Sequence, residues 1–180
     1  MAAKTFFKIV VTGPESSGKT ELSESLARAF QTRPVPEFAR SYVAHLGRAY
    51  ERSDLIRIAR GQKNWEDWYA GQPERFLVCD TDWTVLQIWE QYRFQPAGGY
   101  VWPLGYGQAQ NADLYLLCAP DFPWVPDALR EHPEERDVLF ALYRQLLEDR
   151  QARFVVLSGD RPARLATALA AIRELLRTLR

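Results

Sequence analysis

FFKIVVTGPESSGKTELSESL, residues 6–26, places three signals in a fixed order. Phe6 to Thr12 is an aromatic and β-branched run that stops at glycine, which predicts a strand buried on both faces. From Gly18 to Phe30 apolar residues recur at Leu22, Leu26, Ala29 and Phe30, the spacing of a helix with one apolar stripe. Between them, Gly13-Pro-Glu-Ser-Ser-Gly18-Lys19-Thr20 fits G-x-x-x-x-G-K-[ST] at each fixed position. Its glycines let backbone N–H groups curl round phosphate oxygens, and the start of the helix adds its positive end. Gly13, Glu15, Ser16, Ser17, Gly18, Lys19 and Thr20 are therefore the expected cradle of a nucleoside triphosphate. Lys19 serves the β- and γ-phosphates, and the Thr20 hydroxyl serves Mg²⁺.

The same alternation continues along the chain. Strands are expected at Val35 to Phe38, Phe76 to Cys79, Leu114 to Cys118 and Phe154 to Leu157. Helices are expected at Asp54 to Tyr69, Trp83 to Tyr92, Arg136 to Arg150 and Arg164 to Leu179. Buried strands alternating with helices predict an α/β fold of the P-loop NTPase and kinase type, a five-stranded parallel sheet with helices on both faces. Ligands of such sheets gather at the carboxyl ends of the strands. No repeat or low-complexity linker interrupts residues 1–180, read as a single P-loop kinase domain. Gln95 to Gly107, rich in glycine, proline and aromatics, reads as a long loop without the strand–turn–helix setting of a dinucleotide fingerprint.

Composition removes several classes of function. Lys plus Arg (23) balance Asp plus Glu (23), so no net field draws nucleic acid or an anionic membrane. No apolar run approaches the length of a membrane span, and the start is too short in apolar length for a signal peptide. Cys79 and Cys118 each lie at the end of an apolar run and read as buried free thiols in a reducing cytoplasm. The expected partners are small molecules; a homo-oligomer is compatible with the pattern.

Several absences favour transfer of phosphate to a bound acceptor over its loss to water. There is no N/T-K-x-D, no L-S-G-G-Q and no Asp-Glu pair closing the third expected strand, which instead ends Cys79-Asp80-Thr81-Asp82. One of Asp80 and Asp82 is expected to position Mg²⁺ opposite Thr20. The other is left to meet sugar hydroxyls or the acceptor, and Asp82 equally fits as the N-cap of the helix opening at Trp83. Glu37, with Arg40 three residues on, stands where a carboxylate would take or orient an acceptor's proton while the arginine steadies the phosphoryl group. A plain surface ion pair at that spacing is the alternative.

With those residues placed, the chain resembles the ribosylnicotinamide kinase domain of the bacterial NAD-biosynthesis regulator family. The matching pieces are GPESSGKTEL, PEFARSYV with Glu37 and Arg40, ARGQ around Gln62, CDTDWT with Asp80 and Asp82, and LCAPDFPWVPDALREHP followed by Arg136. The resemblance implies ATP- and Mg²⁺-dependent phosphorylation of the 5′-hydroxyl of nicotinamide riboside to the mononucleotide. The larger members also carry a helix-turn-helix domain and an adenylyltransferase domain with H-x-G-H. This chain starts at the P-loop strand, and His45-Leu-Gly-Arg48 lacks the second histidine. A stand-alone kinase domain is expected, without repression or adenylyl transfer.

Pro120 to Asp137 then reads as a proline-stiffened lid whose Arg130 and Arg136 close over the triphosphate, exclude water and supply charge. Both arginines also fit solvated helix positions. Asp121 and Asp127 touch ribose or cap turns. Nicotinamide on ribose is a flat cation, suited to an aromatic face. Among six tryptophans, Trp124 is the first candidate for that face, with Trp83, Tyr106 and Trp65 behind it. Ser158, Gly159 and Asp160, after the last strand, are expected to border the adenine. Two other readings remain: a kinase for another nucleoside or small metabolite, and an ATPase or switch that reports nucleotide to a partner.

Overall fold

The computed structural model describes residues 6–72, 75–94, 112–126 and 134–178. In chain order the elements are β1 (Phe7–Thr12), α1 (Lys19–Ala29), α2 (Phe38–Ala44), α3 (Arg52–Ala70), β2 (Phe76–Asp80) and α4 (Trp83–Trp89). A π-helical turn, Glu90–Phe94, continues α4. Then follow β3 (Leu114–Cys118), α5 (Arg136–Asp149), β4 (Phe154–Leu157) and α6 (Arg161–Thr178).

The strands form one parallel sheet in the order β2-β1-β3-β4. Side chains of successive residues leave a strand on opposite faces, and both faces are covered. Val10, Cys79, Tyr115 and Leu117 pack with Ala39, Leu55, Ile58, Leu86 and Tyr143 from α2 to α5. Ile9, Val11, Val78, Leu116 and Cys118 pack with Leu22, Leu26, Ala168 and Ile172 of α1 and α6. Both cysteines are free and buried, and burial pushes the Cys118 thiol up to about 11. Among the described residues, no helix is long and apolar enough to cross a membrane.

The sheet has four strands where the pattern predicts five. The expected second strand is a single bridge, Val35 to Cys79, at the outer edge of β2. Val35 donates to the Val78 carbonyl at 2.7 Å and accepts from the Asp80 N–H at 2.8 Å. Pro34 and Pro36 hold Val35 extended yet have no N–H of their own, so the ladder cannot run further. Phe38, the expected strand end, instead opens α2.

That helix is seated on α3 by two adjacent residues. A Cβ on Gly61 would lie 2.1 Å from the Phe38 ring, so only glycine leaves room for it. The next residue, Gln62, accepts the Phe38 N–H at 2.9 Å, satisfying a donor at the start of α2. Gln62 also reaches Glu66 at 3.5 Å, and Glu66 pairs with the buried Lys8 of β1 at 2.6 Å. A polar line thus runs through the core from the central strand to the residue after Glu37. Gly61→Ala is expected to overpack this contact and lower stability by about 1–3 kcal/mol. Thermal or urea unfolding measures it; unchanged stability would mean that α2 does not depend on this seat.

Candidate active site

β1 ends between the carboxyl ends of β2 and β3, and the P-loop begins there. Gly13 adopts φ 137, and a Cβ at that position would lie 2.6 Å from the Cys118 carbonyl oxygen. Glycine is required because the loop passes directly against the end of β3. Ser16 (φ 53) and Gly18 (φ 79) are left-handed, which curls the loop before α1 starts at Lys19. Its own carbonyl organises the interior: Pro14 O accepts from Ser17 Oγ at 2.7 Å and from Lys19 Nζ at 2.8 Å.

Asp80 and Asp82 would share one face of a continuous strand. They do not, because Thr81 between them takes φ 66 while buried, a costly conformation for a β-branched residue. Asp82 turns back to cap α4, accepting from the Thr84 N–H at 2.9 Å and from the Tyr115 hydroxyl at 3.1 Å. It is fully buried and does not line the cleft. Asp80 turns toward the P-loop. Burial raises its carboxyl above the ordinary range, against the opposing pull of a hydrogen bond with Thr20 and the charges of Lys19 and Arg40. Its Oδ1 is buried with no hydrogen-bond partner.

A cleft of about 240 Å³ runs from the P-loop to Tyr143. Gly13 to Thr20, the Glu37–Arg40 pair, and Tyr50, Trp89, Tyr92 and Arg93 are among its walls. Glu37 precedes α2, with Arg40 Nε 3.8 Å from its Oε2. The aromatic group was missed by sequence reasoning. Tyr50 lies before α3, Trp89 ends α4 and Tyr92 sits in the π-turn, so no spacing brings them together. Their rings are nonetheless organised: Tyr50 and Trp89 are 5.4 Å apart, and the Arg93 guanidinium lies 4.1 Å from the Tyr50 centroid. Arg52 anchors the π-turn through Glu90 at 2.8 Å. A π-turn off a helix end is a frequent mark of a functional site, but it is visible only in the folded backbone.

The expected aromatics lie elsewhere. Trp83 is buried under the Arg150 guanidinium at 3.9 Å, and Trp65 packs edge-on against Phe38 at 4.9 Å. Trp124 is half-buried beside Arg136, whose Cζ is 6.0 Å from its ring. None of the three lines the cleft. Arg136 opens α5 and donates to the Phe122 carbonyl at 2.7 Å, holding the segment after β3. Val125 is tied to the P-loop, its N–H donating to Ser16 Oγ at 3.2 Å. Asp127, Arg130 and Tyr106 lie outside the described residues.

A second cavity, about 280 Å³, opens on the other side of Gly18, with Phe122, Pro162, Arg164 and Leu165 among its walls. Ser158, Gly159 and Asp160 form the exposed turn into α6, next to this cavity rather than in its lining. Asp121 Oδ2 accepts from Gly159 N at 2.6 Å, and Asp160 Oδ1 accepts from Ala163 N at 2.9 Å. Asp121 is thus engaged with the turn, and Asp160 caps the helix.

Residues 8–164 match the family described as an AAA domain. The chain belongs to that family. The trifunctional NAD biosynthesis/regulator protein NadR of Escherichia coli (strain K12) is 30% identical over 182 residues, covering 96% of this chain and 44% of that protein. Its Salmonella typhimurium counterpart is 29% identical over the same coverage. The chain therefore spans less than half the length of the curated relatives it matches. Among solved structures, NadR protein in complex with NR superposes with a TM-score of 0.78 at 21% identity, over 95% of this chain and 52% of that one. Deoxyadenosine kinase from M. mycoides with bound dATP gives 0.57 at 11% identity, over 93% and 99%. These likenesses establish the α/β P-loop kinase fold.

The raised Asp80 carboxyl has a definite sign. Because its folded value lies above its unfolded one, the folded protein loses stability as pH rises from the ordinary carboxylate range through the raised value. Asp80→Asn is therefore expected to melt higher than the parent at neutral pH without ligands, by about 2–4 °C per kcal/mol recovered. Calorimetry between pH 4 and 8, a window of roughly four units about the carboxylate range, should show the gap widen with pH. A variant that melts lower throughout would refute the burial argument.

Proposed function

We propose that this chain is an ATP-dependent kinase that phosphorylates the 5′-hydroxyl of nicotinamide riboside. The observation that carries the reading is one cleft lined by a phosphate cradle, a carboxylate–arginine pair and an aromatic group. Similarity to NadR over nearly the whole chain supports the choice of acceptor. The reading covers the kinase reaction alone, as a single domain working on small molecules in the cytoplasm.

The triphosphate lies in Gly13 to Thr20, with Lys19 leaving the Pro14 carbonyl to meet the β- and γ-oxygens. The base of ATP lies in the second cavity, against Phe122 and Pro162 and near the turn Ser158–Asp160. The riboside enters the main cleft with its flat cationic ring among Tyr50, Trp89 and Tyr92, where stacking and cation–π attraction favour it. That places the ribose toward Glu37, whose carboxylate accepts the hydroxyl proton as the oxygen attacks the γ-phosphorus. Arg40 beside it, and Arg136 from α5, steady charge on the transferring group. Trp124 covers the P-loop side of the site next to Arg136.

Thr20 and Asp80 suit Mg²⁺. The unpartnered buried Oδ1 of Asp80, with the Thr20 hydroxyl beside it, is the donor set of an ion that keeps several waters and takes substrate phosphates. When bound, the ion neutralises charge on the phosphates. Asp82 and Trp83 support the site from behind, by fixing the start of α4.

ADP release with ATP and Mg²⁺ tests the reading directly. Turnover is expected with nicotinamide riboside and only background without it. Rapid turnover with no acceptor would overturn the kinase assignment, and turnover only with another nucleoside would overturn the acceptor. Lys19→Ala is expected to cost about 100- to 1000-fold in kcat while the protein stays folded. Glu37→Gln is expected to lower kcat by roughly 10²–10⁴, with ATP binding retained in an equilibrium titration.

A further inference from the structure

Arg164, in the first turns of α6, is 2% exposed and reaches three carbonyl oxygens from three separate strand ends. Nη1 donates to Ser17 O at 2.7 Å, Nη2 to Ala119 O at 2.9 Å and Nε to Gly159 O at 2.9 Å. Those oxygens belong to the P-loop after β1, the residue after β3 and the turn after β4. Nη2 also meets Asp121 Oδ2 at 3.0 Å, a side chain that is 39% exposed. The guanidinium lies 4.3 Å from the centroid of the Phe122 ring.

A buried guanidinium is a costly way to stabilise a core, and the carboxylate it meets is partly in water. What the planar fork does supply is direction. It fixes three backbone segments at the carboxyl edge of the sheet, where ligands of such folds bind. The Ser17–Gly18 peptide is trans, so its carbonyl and N–H point opposite ways. Drawing Ser17 O toward Arg164 turns the Gly18 N–H away from the guanidinium, onto the phosphate side of the loop. Phe122, stacked on the same guanidinium, is also a wall of the second cavity, and a Cβ on Gly18 would lie 2.6 Å from its ring. One side chain therefore sets both the phosphate loop and the base wall.

We propose that Arg164 is a positioning residue for the whole nucleotide, acting through the Ser17–Gly18 peptide and the Phe122 ring. This rests on the kinase reading above, in which ATP occupies both cavities. Lysine keeps the charge but loses the fork, so Arg164→Lys is the discriminating change. Titration of the folded variant, below its own melting temperature, should show ATP and tripolyphosphate both bound at least about tenfold more weakly, roughly 1.4 kcal/mol. The KM for the acceptor should stay within about twofold. Phe122→Ala should weaken ATP alone and leave tripolyphosphate unchanged, since the latter has no base. A lower melting temperature with both affinities intact in Arg164→Lys would reduce the residue to fold stability and overturn the proposal. If Arg164→Lys does not fold, Phe122→Ala decides: tripolyphosphate lost along with ATP would refute the division of labour. Parent protein that binds neither ligand would sink the nucleotide reading itself, and this proposal with it.

Discussion

Parallel pairing of β1 with a neighbour on each side is the constraint from which the site follows. The register sets Val11 beside Asp80 on β2 and Thr12 beside Leu117 on β3, so three carboxyl ends finish at one level. The loop leaving β1 has no room to pass except against the Cys118 carbonyl, where glycine alone fits. Once there, it lies between the carboxylate at the end of β2 and the segment that follows β3. Cradle, acid and cover are brought together by backbone hydrogen bonding before any side chain of the site makes a contact.

The polar interior shows the cost of this arrangement. Thr81 is held left-handed in a buried position, and the result is that two neighbouring aspartates face different ways. Asp82 becomes a satisfied cap, while Asp80 is kept as a buried carboxyl whose ionisation the fold opposes. Both features work against stability, and both concern the end of β2, where Asp80 meets Thr20. A domain shaped by stability alone would relax the first and remove the second.

Legibility in the sequence followed the range of the interactions. Four strands read correctly because an apolar β-branched run buried on both faces carries its own signature, and the P-loop because its residues are contiguous. Asp80 and Asp82 were found together but could not be separated, since their difference depends on one dihedral at Thr81. Val35 to Phe38 misled because apolar character outweighed the two prolines that limit pairing to Val35. Tyr50, Trp89 and Tyr92 meet only through the packing of α3, α4 and a π-turn, so spacing gave no access to them. Trp83, Trp124 and Trp65 were equally aromatic, and nothing in the chain distinguishes a ring under Arg150 from a ring in the cleft.

The two ends of the cleft are built on different foundations. Its phosphate end rests on strand termini locked by sheet register, where a change in one residue disturbs several others. Its aromatic residues rest on the segment before α3 and on a π-turn that Arg52 reaches through Glu90. The phosphate loop and the aromatic residues thus stand on separate elements, so the sheet register that fixes the one does not dictate the other.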